Sequence, residues 1–347
     1  MKKHIFALTV LVAGCAGGPS LEEARNTFYD ELFKRLTLWN GALNTIDRSQ
    51  ADRWAEEIRL LVSPRYEWIA ADALEDKDVE RRNLAVWGLG FADQRGPAAD
   101  VLKRALKDPV PPIRSAAAFG IGRQDQPDPP FDDLFAMLDD SRPNLRQAAL
   151  FALKTLLKPG QDRGQLPKIL SMLEDMSPDV RSEAVLVLRQ LKMKPALHSL
   201  LKVGLNDEWF LVRYNAALAV GMYGSEAAEE ATPWLIEALK DGEAAVVEAS
   251  WWALKRITTR DFDRLYTTWR DWYDEEQKKW QFVCKAHPSI VKDAAGACPD
   301  CGKPLEKQLR PTRPKPAEQW TCPTHPEVVS ASPGQCAKCK ADLVPKK

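Results

Sequence analysis

The sequence predicts an all-α body, a helical-repeat solenoid, followed by two small metal-binding modules. Three observations predict it. First, an arginine followed by small or polar residues recurs: Arg82-Asn83-Leu84-Ala85, Arg114-Ser115-Ala116-Ala117, Arg146-Gln147-Ala148-Ala149, Arg181-Ser182-Glu183-Ala184 and Arg213-Tyr214-Asn215-Ala216. The arginines stand 32, 32, 35 and 32 residues apart, and Glu248 takes the arginine place 35 residues further on. Second, a leucine ladder precedes these motifs at Leu106, Leu138, Leu173, Leu205 and Leu239, with steps of 32, 35, 32 and 34. Two ladders sharing one period mark a repeat architecture. Third, Cys-x2-His-x10-Cys-x2-Cys occurs twice near the C-terminus, the copies offset by 38 residues.

Each repeat reads as two helices. Val101-Leu102-x-x-Ala105-Leu106 has the apolar spacing of an amphipathic helix, and Ile169-Leu170-x-x-Leu173 and Leu235-Ile236-x-x-Leu239 repeat it. Asp-Pro, Ser-Arg-Pro, Ser-Pro-Asp and Asp-Gly then break the chain and offer N-caps for the next helix. That second helix is alanine-rich, which suits close helix approach. Neither helix can bury its apolar face alone, so neighbouring units stack. The pattern resembles the HEAT-repeat family over roughly residues 64–257. That resemblance implies that the recurring arginines pair with aspartates of neighbouring repeats, for which Asp108, Asp139, Asp179, Asp207 and Asp241 are the candidates.

Residues 15–63 are expected to form the N-terminus and a helical cap for the open end of the stack. Ser20-Leu21-Glu22-Glu23 is a capping-box signature. Phe28, Leu32, Leu36 and Trp39 then share a helical face, and Trp54, Ile58 and Leu61 suggest a second helix. The solenoid is assigned to 64–280, ending in an aromatic C-terminal cap with Phe262, Tyr266, Trp269, Trp272, Tyr273 and Trp280. Trp209, Trp251 and Trp252 are the candidate partner surface, since adjacent helical residues point about 100° apart and exposed Trp is favoured at binding hot spots.

The first residues read as a targeting segment. Lys2 and Lys3 precede a short apolar run, Ile5 to Val12, and then Val12-Ala13-Gly14-Cys15. The run is too short for a membrane span. The last four residues resemble a bacterial lipobox, which implies cleavage of residues 1–14, acylation of Cys15 and attachment to the cell envelope by a lipid anchor alone. Ala16 after the cysteine implies the outer membrane.

The chain holds seven cysteines, one at position 15 and six after position 283. The later six, with His287 and His325, form the sets Cys284, His287, Cys298, Cys301 and Cys322, His325, Cys336, Cys339. Three thiolates and one imidazole make a tetrahedral zinc set. Disulfides are the competing reading in an oxidising envelope, but three cysteines per module leave one over and do not explain the recurring histidine. His198 belongs to the repeats and is expected to be a packed or surface residue. The modules are assigned to 281–305 and 320–347, as zinc-ribbon-like units joined by a Pro-rich linker, 306–319.

The second copy, from Trp320 through Pro345, resembles the heavy-metal-binding domain found at the ends of copper-translocating ATPases and metal-efflux adaptor proteins. The first is a more diverged copy. Members of that family usually carry methionines where this chain has Thr324 and Ala341, and Ala286 and Lys303. Thioethers suit Cu(I), so their absence favours zinc, two ions per chain, over copper.

Lys+Arg and Asp+Glu both number 49. A chain without net charge or a run of like charges has no electrostatic footprint for nucleic acid. No phosphate loop, nucleophile elbow or partnered catalytic histidine is evident, and no small-molecule substrate is implied. The expectation is a non-catalytic envelope scaffold that binds a protein partner through its solenoid and metal through its tail. The alternative is capture or delivery of envelope copper or zinc.

Overall fold

The computed structural model describes residues 20–43, 49–124, 128–310, 320–330 and 332–345. Cys15 and the targeting segment lie outside the described residues, as does most of the Pro-rich linker. Among the described residues no helix is long and apolar enough to cross a membrane. The contacts divide the chain into two compact units, Met1–Tyr266 and Thr267–Lys347. The boundary falls inside the aromatic segment read from the sequence as a cap.

The first unit opens with α1 (Leu21–Leu43) and α2 (Ser49–Val62). The capping box forms as its sequence requires. The Ser20 N–H donates to Glu23 Oε2 at 2.6 Å, and the Glu23 N–H donates to Ser20 Oγ at 3.1 Å. Six helix pairs follow: α3 (Tyr66–Glu75) with α4 (Val79–Leu89), α5 (Arg95–Ala105) with α6 (Pro111–Arg123), and α7 (Phe131–Met137) with α8 (Pro143–Leu156). Then come α9 (Leu166–Ser171) with α10 (Pro178–Leu191), α11 (Lys194–Lys202) with α12 (Phe210–Gly221), and α13 (Ala228–Ala238) with α14 (Ala244–Thr258). The second helices pack in an unbroken row, α4 on α6, α6 on α8, and so to α14. The ladder leucines Leu106, Leu138, Leu173, Leu205 and Leu239 are all buried. Pro111, Pro143 and Pro178 begin second helices, where a missing N–H costs nothing.

Among the second helices α4 starts from a side-chain cap, Asp78 accepting the Glu80 and Arg81 N–H groups, and the others do not. Ser177, at the N-cap of α10, makes no side-chain capping bond, and neither do Val110, Arg142, Trp209 or Glu243. An aspartate two residues earlier does the local work. Asp108, Asp140, Asp175, Asp207 and Asp241 each accept the backbone N–H two positions on, at 2.7 to 3.0 Å. This Asx turn bends the chain into the second helix.

The same aspartates receive the arginine ladder. Arg82 Nε donates to Asp108 at 3.0 Å, Arg146 to Asp175 at 2.6 Å, Arg181 to Asp207 at 2.7 Å and Arg213 to Asp241 at 2.6 Å. Arg114 reaches Asp140 at 3.5 Å. Two expected partners are therefore corrected, since Asp140 replaces Asp139 and Asp175 replaces Asp179. Asp139 instead pairs with Lys168. Each arginine also donates to a carbonyl six residues earlier in its own repeat, Asp76, Asp108, Asp140, Asp175 and Asp207 in turn, at 2.6 to 2.9 Å. One guanidinium thus fixes its own turn and ties it to the next.

Both ends of the ladder are closed by substitutes. At the start, Asp76 takes Arg25 of α1 at 2.9 Å and Arg81 at 3.1 Å. Arg25 also binds the buried Asp72, which accepts the Tyr29 hydroxyl at 2.6 Å. At the far end Val247, not Glu248, stands in the arginine register. Its N–H donates to Glu243 O just as that of Arg213 donates to Trp209 O. Glu248 lies one residue outside the register and pairs with Arg264 at 2.7 Å.

Glycine permits the close approach of α6 to α8. A Cβ at Gly122 would lie 2.9 Å from Ala152 Cα and 3.1 Å from Thr155 Oγ1. Gly122→Val is expected to lower the unfolding free energy by about 1–3 kcal/mol through overpacking, measured as a lower urea midpoint.

The second unit contains most of α15 (Tyr266–Lys278) and two small sheets. Trp269 is fully buried and meets Trp272 edge-on, with ring centroids 5.9 Å apart. The first sheet has the order β2-β1-β3, from β1 (Trp280–Val283), β2 (Val291–Lys292) and β3 (Glu306–Leu309). The second has the order β5-β4-β6, from β4 (Trp320–Thr321), β5 (Val329–Ser330) and β6 (Val344–Pro345). All pairings are antiparallel.

Candidate metal centres

Each sheet carries one Cys-His-Cys-Cys set. In both copies the first cysteine follows the central strand. Cys284 directly succeeds β1, and Cys322 directly succeeds β4. A tight turn brings the histidine back: the His287 N–H donates to Cys284 O, and the Ile290 and Val328 N–H groups donate to the carbonyls of His287 and His325. The Cys-x2-Cys pair sits on a second turn. Cys298 N–H donates to Lys303 O and Gly302 N–H to Cys298 O, both at 2.8 Å. Cys336 with Ala341, and Lys340 with Cys336, repeat those bonds at 2.8 Å.

These turns gather eight donor atoms into two clusters, each with all its members within 4.8 Å of one another. The distances fit a tetrahedral ion. A zinc–sulfur bond of ~2.3 Å places sulfurs about 3.8 Å apart. Cys284 and Cys301 Sγ lie 3.6 Å apart, and Cys322 and Cys339 Sγ lie 3.5 Å apart. His287 Nδ1 is 3.7 Å from Cys284 Sγ and 3.5 Å from Cys298 Sγ. His325 Nδ1 is 3.8 Å from both Cys322 and Cys336. A disulfide needs ~2.0 Å, and all six cysteines are unbridged.

The surroundings favour thiolate at Cys298, Cys322 and Cys339, whereas Cys301 and Cys336 are raised. Hydrogen bonding from the Thr324 hydroxyl leads in pushing the Cys322 thiol down to about 5. Burial opposes ionisation of Cys298, yet the backbone N–H groups of Asp300 and Cys301 help bring it down to about 6. Contact with Cys298 and Cys284 raises His287. Small apolar shells enclose the sets: Leu305 with Phe282 and Ile290 in the first, Leu343 with Trp320 and Val328 in the second.

The turn that offers the last cysteine requires a left-handed residue. The first copy has Gly302 there at φ 70°, the second Lys340 at φ 60°. A side chain in that region costs about 1–2 kcal/mol. Lys340→Gly is therefore expected to raise the thermal midpoint of the zinc-loaded second module, and no rise would contradict the reading.

The other predicted site residues are dispersed. Trp209 is 45% exposed, with Phe210 and Leu211 exposed beside it. Trp251 and Trp252 are half-buried and engaged within the first unit. Trp251 Nε1 donates to Phe262 O at 2.7 Å and its ring carries Lys255, while the Trp252 ring carries Arg256. His198 is exposed and contacts Glu230 at 3.2 Å. Sequence reasoning missed Thr324 as a site residue. Its hydroxyl lies 3.2 Å from Cys322 Sγ and 3.4 Å from both Cys339 Sγ and His325 Nδ1. Its place one residue before the ligand histidine was the available signal.

Fold and site together define a helical-repeat solenoid protein bearing two Cys3His metal-binding modules. Residues 69–154, 131–221 and 166–255 match the family described as HEAT repeats. These matches together span more than half of the chain, which therefore belongs to the HEAT-repeat family. Residues 319–346 match the heavy metal binding domain. Among solved structures, the chain is similar to YibA of Escherichia coli, at 18% identity and a TM-score of 0.47 over 74% of this chain and 98% of that one. It is also similar to computationally designed armadillo repeat proteins for modular peptide recognition, at 17% identity and a TM-score of 0.41 over 54% of this chain and 98% of that one. No curated protein matches it.

Proposed function

We propose that this protein is a non-catalytic scaffold of the cell envelope, anchored by an acylated Cys15 at the outer membrane. Its solenoid binds a protein partner, and its two C-terminal modules hold zinc. The observation that carries the reading is the filled donor set. Each module supplies four protein ligands, which matches a structural zinc site and leaves no open position of the kind a catalytic zinc needs. The absence of thioethers at Ala286, Lys303, Thr324 and Ala341 supports zinc over copper. The lipobox-like Val12-Ala13-Gly14-Cys15 supports the anchor, and exposed Trp209 supports a contact surface.

The test of the scaffold is made in cells. Cys15→Ser should move the protein from the membrane fraction to the soluble fraction. A photo-crosslinking residue at Trp209 should capture one protein. An unchanged membrane fraction for Cys15→Ser would overturn the anchor, and no adduct would overturn that contact surface. A second reading, capture or delivery of envelope heavy metal, is favoured by the match of residues 319–346 to the heavy metal binding domain. It requires Cu(I) to displace zinc at equilibrium in the intact tail.

A further inference from the structure

The two modules share one ligand spacing but differ around it. In the first, Cys301 is half-buried and packs against the cluster of Cys284, Cys298 and Leu305. Its counterpart Cys339 is exposed. The first sheet pairs β1 with β3 over four residue pairs, from Trp280↔Leu309 to Val283↔Glu306. The second pairs β4 with β6 over two, Trp320↔Pro345 and Thr321↔Val344. Gly302 sits without strain where Lys340 does not. Finally, Ala286 stands in the first copy where Thr324 places a hydroxyl within 3.4 Å of three ligand atoms of the second.

Resting on the zinc reading above, we propose that the first module is a permanent structural site and the second an exchangeable one, with Thr324 and Cys339 as the residues that make it so. A hydroxyl donating to a thiolate withdraws electron density that the sulfur would give to a metal, and it satisfies that sulfur when the metal is gone. Both effects lower the cost of release. Cys339 is the thiolate that leaves first, because solvent and an incoming donor reach it. With zinc held by Cys322, His325, Cys336 and Cys339, the incoming donor would replace the Cys339 thiolate, which would leave with its electron pair. Zinc stays divalent and no oxidant is needed. An acceptor of matching chemistry is a thiolate- or imidazole-bearing protein site.

The experiment uses the soluble chain from Ala16 to Lys347, loaded with zinc and counted before chelation. A chromogenic zinc chelator then reads the release. Two phases of equal amplitude are expected, the fast one absent from His325→Ala and the slow one absent from His287→Ala. Thr324→Ala should slow the fast phase by about tenfold, in size the low end of what outer-shell substitutions change but opposite in sign to their usual loss of affinity, so faster release from Thr324→Ala would overturn the role given to this residue. Ala286→Thr should speed the slow phase. Release in one phase, or a fast phase that survives His325→Ala, overturns the proposal. A chain that carries no zinc before chelation overturns the zinc reading, and the asymmetry falls with it.

Discussion

Asp207→Ala is expected to lower the unfolding free energy of the solenoid by about 3–5 kcal/mol, the cost of leaving one member of a buried ion pair without its partner. The side chains of Arg181 and Asp207 are only 8% and 5% exposed, the deepest pair of the ladder. The mutation leaves the Arg181 guanidinium in place with the exposed Glu208 as its remaining carboxylate. It also removes the acceptor for the Trp209 N–H, so the turn into α12 loosens at the same time. Asp140→Ala, which removes the equivalent aspartate and Asx turn from the Arg114–Asp140 pair, is the internal control. That pair is longer, at 3.5 Å, and each side chain is 20% exposed, so a loss of about 1 kcal/mol is expected for a partly solvated pair. Urea unfolding followed by helical circular dichroism measures both. Equal losses would contradict the role given to burial. Acid probes the same ladder. The Arg213 hydrogen bond holds Asp241 below its ordinary value of 3.8, and Asp175 is lowered too: burial raises it, but the hydrogen bonds from Arg146 and Ser177 and the charges of Arg146 and Arg181 together outweigh burial. Their contribution is therefore complete above pH 3.8 and lost as pH falls through the lower folded values.

The second large effect is expected from stripping the metal. Each module has a buried cluster of two cysteines and one leucine, to which the first adds the buried Val283. Metal binding would then be folding free energy, which for zinc in small peptides near neutral pH is about 10–16 kcal/mol. Strong chelation should abolish amide protection in β1 to β3 and β4 to β6. The helices of the first unit hold none of these ligands, so their protection should persist. Reloading zinc should restore the strands. Cys298→Ser should unfold the first module alone, read as loss of protection in β1 to β3 with β4 to β6 retained. Strands that stay protected without metal would show a core stronger than the packing described.

What was legible in the sequence follows from how often a residue repeats its job. The arginine and leucine ladders were visible because each repeat makes the same turn and buries the same leucine. The partner aspartates were read less well. Asp139 and Asp140 are neighbours, and Asp175 and Asp179 straddle one helix start, so spacing alone does not choose between them. The Asx turn does, because only an aspartate two residues before the N-cap can accept that N–H and face the preceding arginine. Glu248 was assigned by its step of 35 residues from Arg213. Counting from the helix start puts Val247 in the register instead, and the last repeat has no arginine there. Arg25 and Asp72 follow no period, since a cap occurs once, and their pairing was invisible until α1 was seen against α3. The eight donor residues were legible in full because tetrahedral chemistry fixes residue type and spacing together. Thr324 was passed over as the replacement for a methionine, and only the coordinates put its hydroxyl among the sulfurs. The exposure of Trp251 and Trp252 depended on what covers them, Lys255, Arg256 and the Phe262 carbonyl, which helical geometry alone does not reveal.

The central claim is that both C-terminal sets are filled zinc sites. Native mass spectrometry of the soluble chain, with a thiol count under denaturing conditions, tests it most directly. The account predicts two zinc ions per chain, one for each donor set, and six alkylatable thiols once the metal is removed. A chain with no metal and no free thiols would contradict it, leaving a disulfide-bonded tail on a helical solenoid.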